Sequence, residues 1–409
     1  MQNVLDVLQE RGFVQDISDA DGLRRRLERP ITLYCGYDAT APSLTLGHLY
    51  TIMMLSWFQR FGHRPIALMG GGTTLIGDPT FRQSSRPILT SEQIDANLQG
   101  IKPQMARFLN FDSDAALMLN NADWLTKLNF VEFMRDIGSR FSVNEILRLE
   151  AYRSRLEAGG LTFLEFSYVL VQSYDFLRLY QDYGCELQVG GSDQWGNSIS
   201  GADLIRRITG DRGSAWVLVS PLILTSSGVK MGKSEAGAVW LDPAMTPPYS
   251  YYQYWRNADD RDVERYLAIF TYLPMEEVRR LGSLQGADVN HAKETLAFEA
   301  TRLLHGEDEA QRAQAAARSL FAGGDEADVP TMTITRSRVD EGITIAELFR
   351  EAGLVRSANE ARNLIAQGGL SVNGEAVSDP RARLEPEVLQ KDGLRLSRGR
   401  KQHIRVLFD

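Results

Sequence analysis

The chain has 409 residues, 43% of them hydrophobic and 24% charged, which is the balance of a globular protein long enough for two or three domains. A net charge of -8 argues against nonspecific coating of nucleic acid but leaves room for a local basic surface. Cys35 and Cys185 alone build neither a disulfide framework nor a CxxC zinc pair, and no apolar run reaches membrane-spanning length. The first residues lack the basic and apolar halves of an export signal, so the expected location is the cytoplasm.

From residue 1 to about 220, helical and strand patterns alternate, the signature of a parallel α/β sheet. Strands are predicted at 31–37, 65–70, 115–120, 186–190 and 216–224, with amphipathic helices between them, such as 91–110 and 162–183. Residues 221–247 read as a loop-rich connector, and from Pro248 the pattern is helical, most clearly at 292–304 and 308–321. The run Ala322-Gly323-Gly324-Asp325 to Pro330 breaks it and reads as a linker. A small unit follows, with helices at 344–352 and 357–367, a strand at 370–372, and Asn373-Gly374 as a hairpin turn. The domains expected are therefore 1–220, a connector 221–247, a helical domain 248–325, a linker 326–340 and a C-terminal unit 341–409.

Two segments far apart in sequence seek phosphate. Tyr34-Cys35-Gly36-Tyr37-Asp38 through Thr45-Leu46-Gly47-His48 reads as strand, loop and helix start, and a helix N-terminus offers unpaired N–H groups and a positive dipole end. Lys230-Met231-Gly232-Lys233-Ser234 places two positive charges and a hydroxyl around a glycine turn, suited to a polyphosphate whose charge builds up in a reaction. Neither is a familiar nucleotide loop. Gly228 and Gly232 enclose too few residues for a Walker loop, and Gly70-Gly71-Gly72-Thr73-Thr74-Leu75 ends in leucine where a dinucleotide fingerprint requires glycine. Together they suggest one nucleotide held from both sides.

In an open α/β sheet, ligands bind beyond the carboxyl ends of the strands. Tyr34 and Asp38 fall there, Asp78 follows the second strand, and Gly190-Gly191-Ser192-Asp193-Gln194-Trp195-Gly196-Asn197 joins a strand to a helix. Taken alone, Asp193 reads as a helix cap. Tyr168, Gln172 and Asp175 are spaced four and then three, so they share one helical face, and their hydrogen-bonding groups suit a small zwitterion.

These motifs, with Phe166-Ser167-Tyr168 and Gln172-Ser173-Tyr174-Asp175-Phe176-Leu177, resemble the bacterial tyrosyl-tRNA synthetases, a class I family, along essentially the whole chain. The resemblance implies an α/β fold: a Rossmann-like parallel-sheet catalytic domain, a helical anticodon-arm-binding domain and a small C-terminal α+β RNA-binding domain. It implies activation of L-tyrosine with ATP and transfer to tRNA. Tyr34 and Asp175 would bind the phenol, with Asp78, Tyr168 and Gln172 on the ammonium, Asp38 close by and Gln194 at the reacting carboxylate. Cys35, Gly36, Thr51, Gly191 and Asp193 would face the adenosine. Thr40, His48, Lys230 and Lys233 would grip the polyphosphate, with Thr45, Gly47 and Ser234 in the same ATP site and Arg82 and Arg86 meeting the leaving pyrophosphate. Thr45 stands where the family usually has histidine, and Gly232 where the class consensus has serine.

The resemblance further implies no tightly bound cofactor and no protein metal site, Mg²⁺ arriving with ATP, and a homodimer, for which Phe130-Val131-Glu132-Phe133-Met134 with Phe141 offers an apolar surface. A tryptophanyl-tRNA synthetase is the nearer competitor, against which Tyr34 and Asp175 argue for a phenol. A non-catalytic RNA-binding relative is the other, against which His48, Asp193, Gln194, Lys230 and Lys233 together argue. In the C-terminal unit, eleven Lys/Arg stand against nine Asp/Glu from residue 343 onward. Its segments Ser357–Arg362 and Gly369–Gly374 resemble a small RNA-binding module of a ribosomal protein, which would contact tRNA phosphates.

Overall fold

The computed structural model describes every residue except 1–2, 79–88, 158, 211–214, 230, 235–236, 323–330, 336–337, 339–341, 356, 384–392, 400–401 and 409. The chain divides into two compact units. The first takes residues 1–232, 240–247 and 255–304, and the second takes 233–239, 248–254 and 305–409.

The first unit is built on a six-stranded sheet: β1 (Asp16–Ile17), β2 (Thr32–Tyr37), β3 (Arg64–Met69), β4 (Leu117–Asn120), β5 (Cys185–Gly191) and β6 (Trp216–Ser220), in the order β1-β6-β5-β2-β3-β4. All neighbours run parallel except β1 on β6. Parallel strands covered on both faces read as continuous apolar runs, and β6 is buried at every position. The chain steps outward from β2 through β3 to β4, then returns to lay β5 on the other side of β2. That reversal opens a crevice at the carboxyl ends of β2 and β5, where ligands bind in such sheets.

Helix boundaries follow local chemistry. Glu165 returns to the Thr162 backbone N–H (2.9 Å), and Thr162 Oγ1 accepts from Glu165 N (3.2 Å), so the Phe163–Tyr183 helix starts with a reciprocal cap. The predicted strand 216–224 instead ends at Ser220. Pro221 has no N–H to continue a ladder, and the chain folds back on itself beyond it. Within this unit the Val263–Phe270 helix is tied to the N-terminal segment: buried Arg11 donates to Ala268 O (2.7 Å) and Leu273 O (2.6 Å) and lies over the Trp57 ring.

In the second unit, β7 (Lys233–Ser234) and β8 (Gly237–Ala238) form a two-stranded ribbon. A separate five-stranded sheet joins β9 (Thr331–Ile334), β10 (Leu370–Val372), β11 (Glu375–Ala376), β12 (Leu394–Arg398) and β13 (Gln402–Phe408), in the order β11-β10-β12-β13-β9. Asn373 and Gly374, both left-handed at φ 49° and 88°, close the hairpin between β10 and β11. Leu348, Phe349, Leu370, Leu394, Leu396 and Val406 are completely buried beneath this sheet and the helices Ile345–Glu351 and Ala358–Ala366. The architecture is the α/β one expected: a Rossmann-like parallel sheet, a helical stretch, and a small C-terminal α+β unit.

Candidate active site

A cavity of about 430 Å³ opens at the β2/β5 switch point. Tyr34, Cys35, Gly36, Asp38, Gly47, His48, Thr51, Asp78, Tyr168, Gln172, Asp175, Gly191, Asp193 and Gln194 all line it. Residues from five sequence regions thus meet because the strand order reverses there.

One end is buried and polar. Tyr34 is 1% exposed, and its hydroxyl has no hydrogen-bond partner among the described residues. Asp175, 2% exposed, accepts from Trp124 Nε1 (2.7 Å) on one oxygen and from Asn121 Nδ2 (2.8 Å) on the other. Burial pushes the Asp175 carboxyl up to about 7, against the pull of those two donors, and the charge of Asp38 adds to the rise. Burial likewise raises the Tyr34 phenol, with Asp175 adding to it, so it stays protonated. A hydroxyl without a partner beside a fixed acceptor is a site for a group that both donates and accepts, as a phenol does.

Along the wall, Gln172 Nε2 donates to Gln194 Oε1 (3.3 Å), and Gln194 Nε2 donates to Asp78 Oδ2 (2.8 Å). With Tyr168 this makes a chain of oxygens facing the cavity, suited to an ammonium.

The opposite end is a helix start. The Leu46–Arg60 helix presents its first turn, Leu46 to His48, to the cavity. Thr45 N donates to His48 Nδ1 (3.1 Å), which leaves the imidazole proton on Nε2 and makes that nitrogen a donor. Thr45 itself is the helix cap, with its hydroxyl 3.2 Å from the same Nδ1, and it does not line the cavity. Thr40 is exposed and does not line it either. Cys35 does, but burial pushes its thiol up to about 11, so it is no nucleophile.

The lysine motif is described in part. Arg82, Arg86 and Lys230 lie outside the described residues, and Lys233 and Ser234 are described in backbone only, as β7. Met231 lines the cavity. Gly232, at φ 86°, rests on the helix start: an added Cβ would lie 3.2 Å from Leu46 Cβ and 3.4 Å from Gly47 N.

Comparison with known proteins gives the family. The family described as tRNA synthetases class I (W and Y) matches residues 26–322, and the tyrosine--tRNA ligase SYY-like C-terminal domain matches residues 323–406. The tyrosine--tRNA ligase of Paracoccus denitrificans is 50% identical over 402 residues, covering 98% of this chain and 96% of that protein. That of Lachnoclostridium phytofermentans is 49% identical, covering 98% of each. Among solved structures, a C-terminally truncated mitochondrial tyrosyl-tRNA synthetase from Aspergillus nidulans superposes with a TM-score of 0.70 at 31% identity, covering 78% of this chain and 95% of the other. The chain belongs to the tyrosyl-tRNA synthetases.

The enzyme is therefore a class I aminoacyl-tRNA synthetase that activates tyrosine and ligates it to tRNA. Three residues at this site carry no mark in the sequence reading: Asn121 and Gln188, which line the cavity, and Trp124 behind it. Asn121 and Trp124 hold Asp175, and Gln188, only 4% exposed, brings a carboxamide oxygen without a partner among the described residues. Gln188 pairs in register with Tyr34 across β5 and β2. The available signal was a polar residue at the centre of a strand whose neighbours Leu187 and Val189 are buried.

Proposed function

We propose that this cavity binds tyrosine with its phenol between Tyr34 and Asp175 and its ammonium toward Asp78, Tyr168 and Gln172, with Asp38 close by. ATP then takes the helix-start end, its adenosine against Cys35, Gly36, Thr51, Gly191 and Asp193. The observation that carries the reading is the buried Tyr34 hydroxyl, unpartnered among the described residues, beside a carboxylate fixed by two N–H donors.

The chemistry needs no general base. The tyrosine carboxylate, near Gln194, is already ionised when it attacks the α-phosphorus, and pyrophosphate leaves. Catalysis rests on placing the reactants in line and on stabilising charge at the departing phosphates. His48 Nε2, Lys230 and Lys233 supply that stabilisation, and Gly47, Ser234, Arg82 and Arg86 belong to the same ATP site, to which the resemblance also assigns Thr40 and Thr45 although neither lines the cavity. Lysines on a loop can tighten on the transition state more than on bound ATP, which raises the rate rather than the affinity. Mg²⁺ comes with ATP as its counterion. Pyrophosphate exchange with tyrosine, tryptophan and phenylalanine tests the assignment: only tyrosine is expected to support rapid exchange, and equal exchange with tryptophan would overturn it.

The remaining roles rest on other segments. The basic C-terminal unit, 341–409, binds tRNA together with the helical region 248–325, so removing 341–409 is expected to leave exchange intact and to cripple transfer. A truncated enzyme that charges tRNA at the full-length rate would overturn this. The enzyme acts as a cytoplasmic homodimer. In support, Phe130 and Val131 are 67% and 72% exposed on a helix, Phe130–Asp136, that buries none of its residues. Light scattering is expected to give the dimer mass, and a monomer mass at micromolar concentration would count against it. Among the described residues, no helix is long and apolar enough to cross a membrane.

A further inference from the structure

Between β6 and the lysine motif, residues 221–229 turn back as a tight hairpin, with Met231 paired to Ile223. Thr225 N donates to Val229 O (2.8 Å) and Met231 N to Ile223 O (3.0 Å), and Gly228 N closes the tip on Thr225 O (2.8 Å). Gly228 adopts φ 80°, the left-handed last residue that a three-residue hairpin loop uses. Pro221, Leu222 and Ile223 of one leg line the cavity, and so does Met231 at the end of the other. The next residue is Gly232, seated on Leu46 and Gly47. The course of this hairpin therefore sets where the lysine motif begins.

A hairpin of this size does not hold its own shape in water. It is held from outside by two residues at the start of the Val263–Phe270 helix. Asp262, 3% exposed, accepts from Ser226 N (2.9 Å) through one oxygen and from Arg265 Nη2 (2.7 Å) through the other. The same Nη2 donates to Leu224 O (2.6 Å). An N–H and a carbonyl of the hairpin are thus both tied to a charge-assisted pair whose aspartate is buried and whose arginine is partly exposed. Asp262 also occupies the N-cap position of its helix, where an aspartate ordinarily bonds the helix's own first amides. It makes no such bond, and its carboxylate is engaged on a loop 36 residues away.

We infer that Asp262 and Arg265 are positioning residues for tyrosine activation, fixing the hairpin from which the lysine motif springs. The inference rests on the role proposed for Lys233. Neither residue touches a substrate. Both act through the loop, whose contacts count in the transition state, so loosening the pair slows adenylate formation and leaves tyrosine binding alone.

Single-turnover tyrosyl-adenylate formation and equilibrium tyrosine binding in the full-length enzyme test this. Asp262→Ala is expected to slow adenylate formation by at least about tenfold, the scale of a misplaced catalytic group, with an unchanged tyrosine Kd. Asp262→Asn, which keeps an acceptor for Ser226 N, should recover part of the rate. Ser226→Pro removes only the N–H, at the second position of a turn where proline fits, and should reproduce the loss even if Asp262→Ala folds poorly. In Asp262→Ala/Lys233→Ala the rate should be no lower than in Lys233→Ala alone, because both changes remove one interaction. Wild-type rates in Asp262→Ala and Ser226→Pro, an equal loss of tyrosine affinity, or fully additive slowing would each overturn the inference. A slow Asp262→Ala beside a wild-type Lys233→Ala would overturn the lysine reading instead, and with it the route claimed for the pair.

Discussion

At the phenol end of the cavity, Tyr34 and Asp175 are almost wholly buried, and Asp175 has both oxygens bonded to side-chain N–H groups. At the end proposed for phosphate, Gly47 is exposed and His48 half-buried at a helix start. In the proposed binding mode, the difference matches what each half of the reaction asks. A phenol is told from a bare ring by one hydroxyl, and a buried site makes the missing hydroxyl expensive because its partners stay unpaired. A leaving pyrophosphate gathers charge as the reaction proceeds, and groups that close on it late favour the transition state over the ground state.

The sharpest way to break this contrast is Lys233→Ala, expected to slow adenylate formation by about a hundredfold or more, as loss of one oxyanion donor does, with tyrosine affinity near normal. A wild-type single-turnover rate would remove the lysine loop from the mechanism. Next come Asp175→Asn and Tyr34→Phe, read as the preference for tyrosine over phenylalanine in pyrophosphate exchange. Loss of a charged acceptor should narrow it by about 2 kcal/mol, and loss of the neutral hydroxyl by about 1 kcal/mol. Wild-type discrimination in both variants would mean that this pair does not read the hydroxyl.

A smaller effect sharpens the same comparison through pH. The folded Asp175 carboxyl holds its proton up to about 7, above the ordinary carboxylate range. Stability from this group is therefore lost as pH rises through that interval, where the folded state binds the extra proton. Tyrosine, whose phenol donates to the ionised form, should bind more tightly as pH rises through about 7, and Asp175→Asn should flatten that dependence. A binding profile that is already flat in the wild type would contradict it. The smallest change expected is in Trp124→Phe. Losing one of the two donors that lower the Asp175 pKa should move the midpoint of the profile upward while leaving the phosphate end untouched.

What the sequence made legible at this site was whatever local periodicity carries. Tyr168, Gln172 and Asp175 lie on one face because helical spacing demands it, and all three reach the cavity. Asn121 and Trp124 escaped because their meaning lies in a partner more than fifty residues away, which no local pattern encodes. Gln188 escaped because one amide in an apolar strand looks like noise until the register sets it beside Tyr34. The overlong strand at 216–224 has the same origin. Its apolar run continues past Pro221, where hydrogen bonding turns the chain back.

The seat of Gly232 against the start of the Leu46–Arg60 helix bears on how portable the lysine motif is. Position 232 needs a left-handed backbone, and a side chain there would press on Leu46 and on the Gly47 amide. A loop carrying the serine of the wider class is therefore not a part that can be exchanged alone. Grafted onto this scaffold, it would push against the very amides that face the cavity, so a chimera that works should have to bring its own helix start with it.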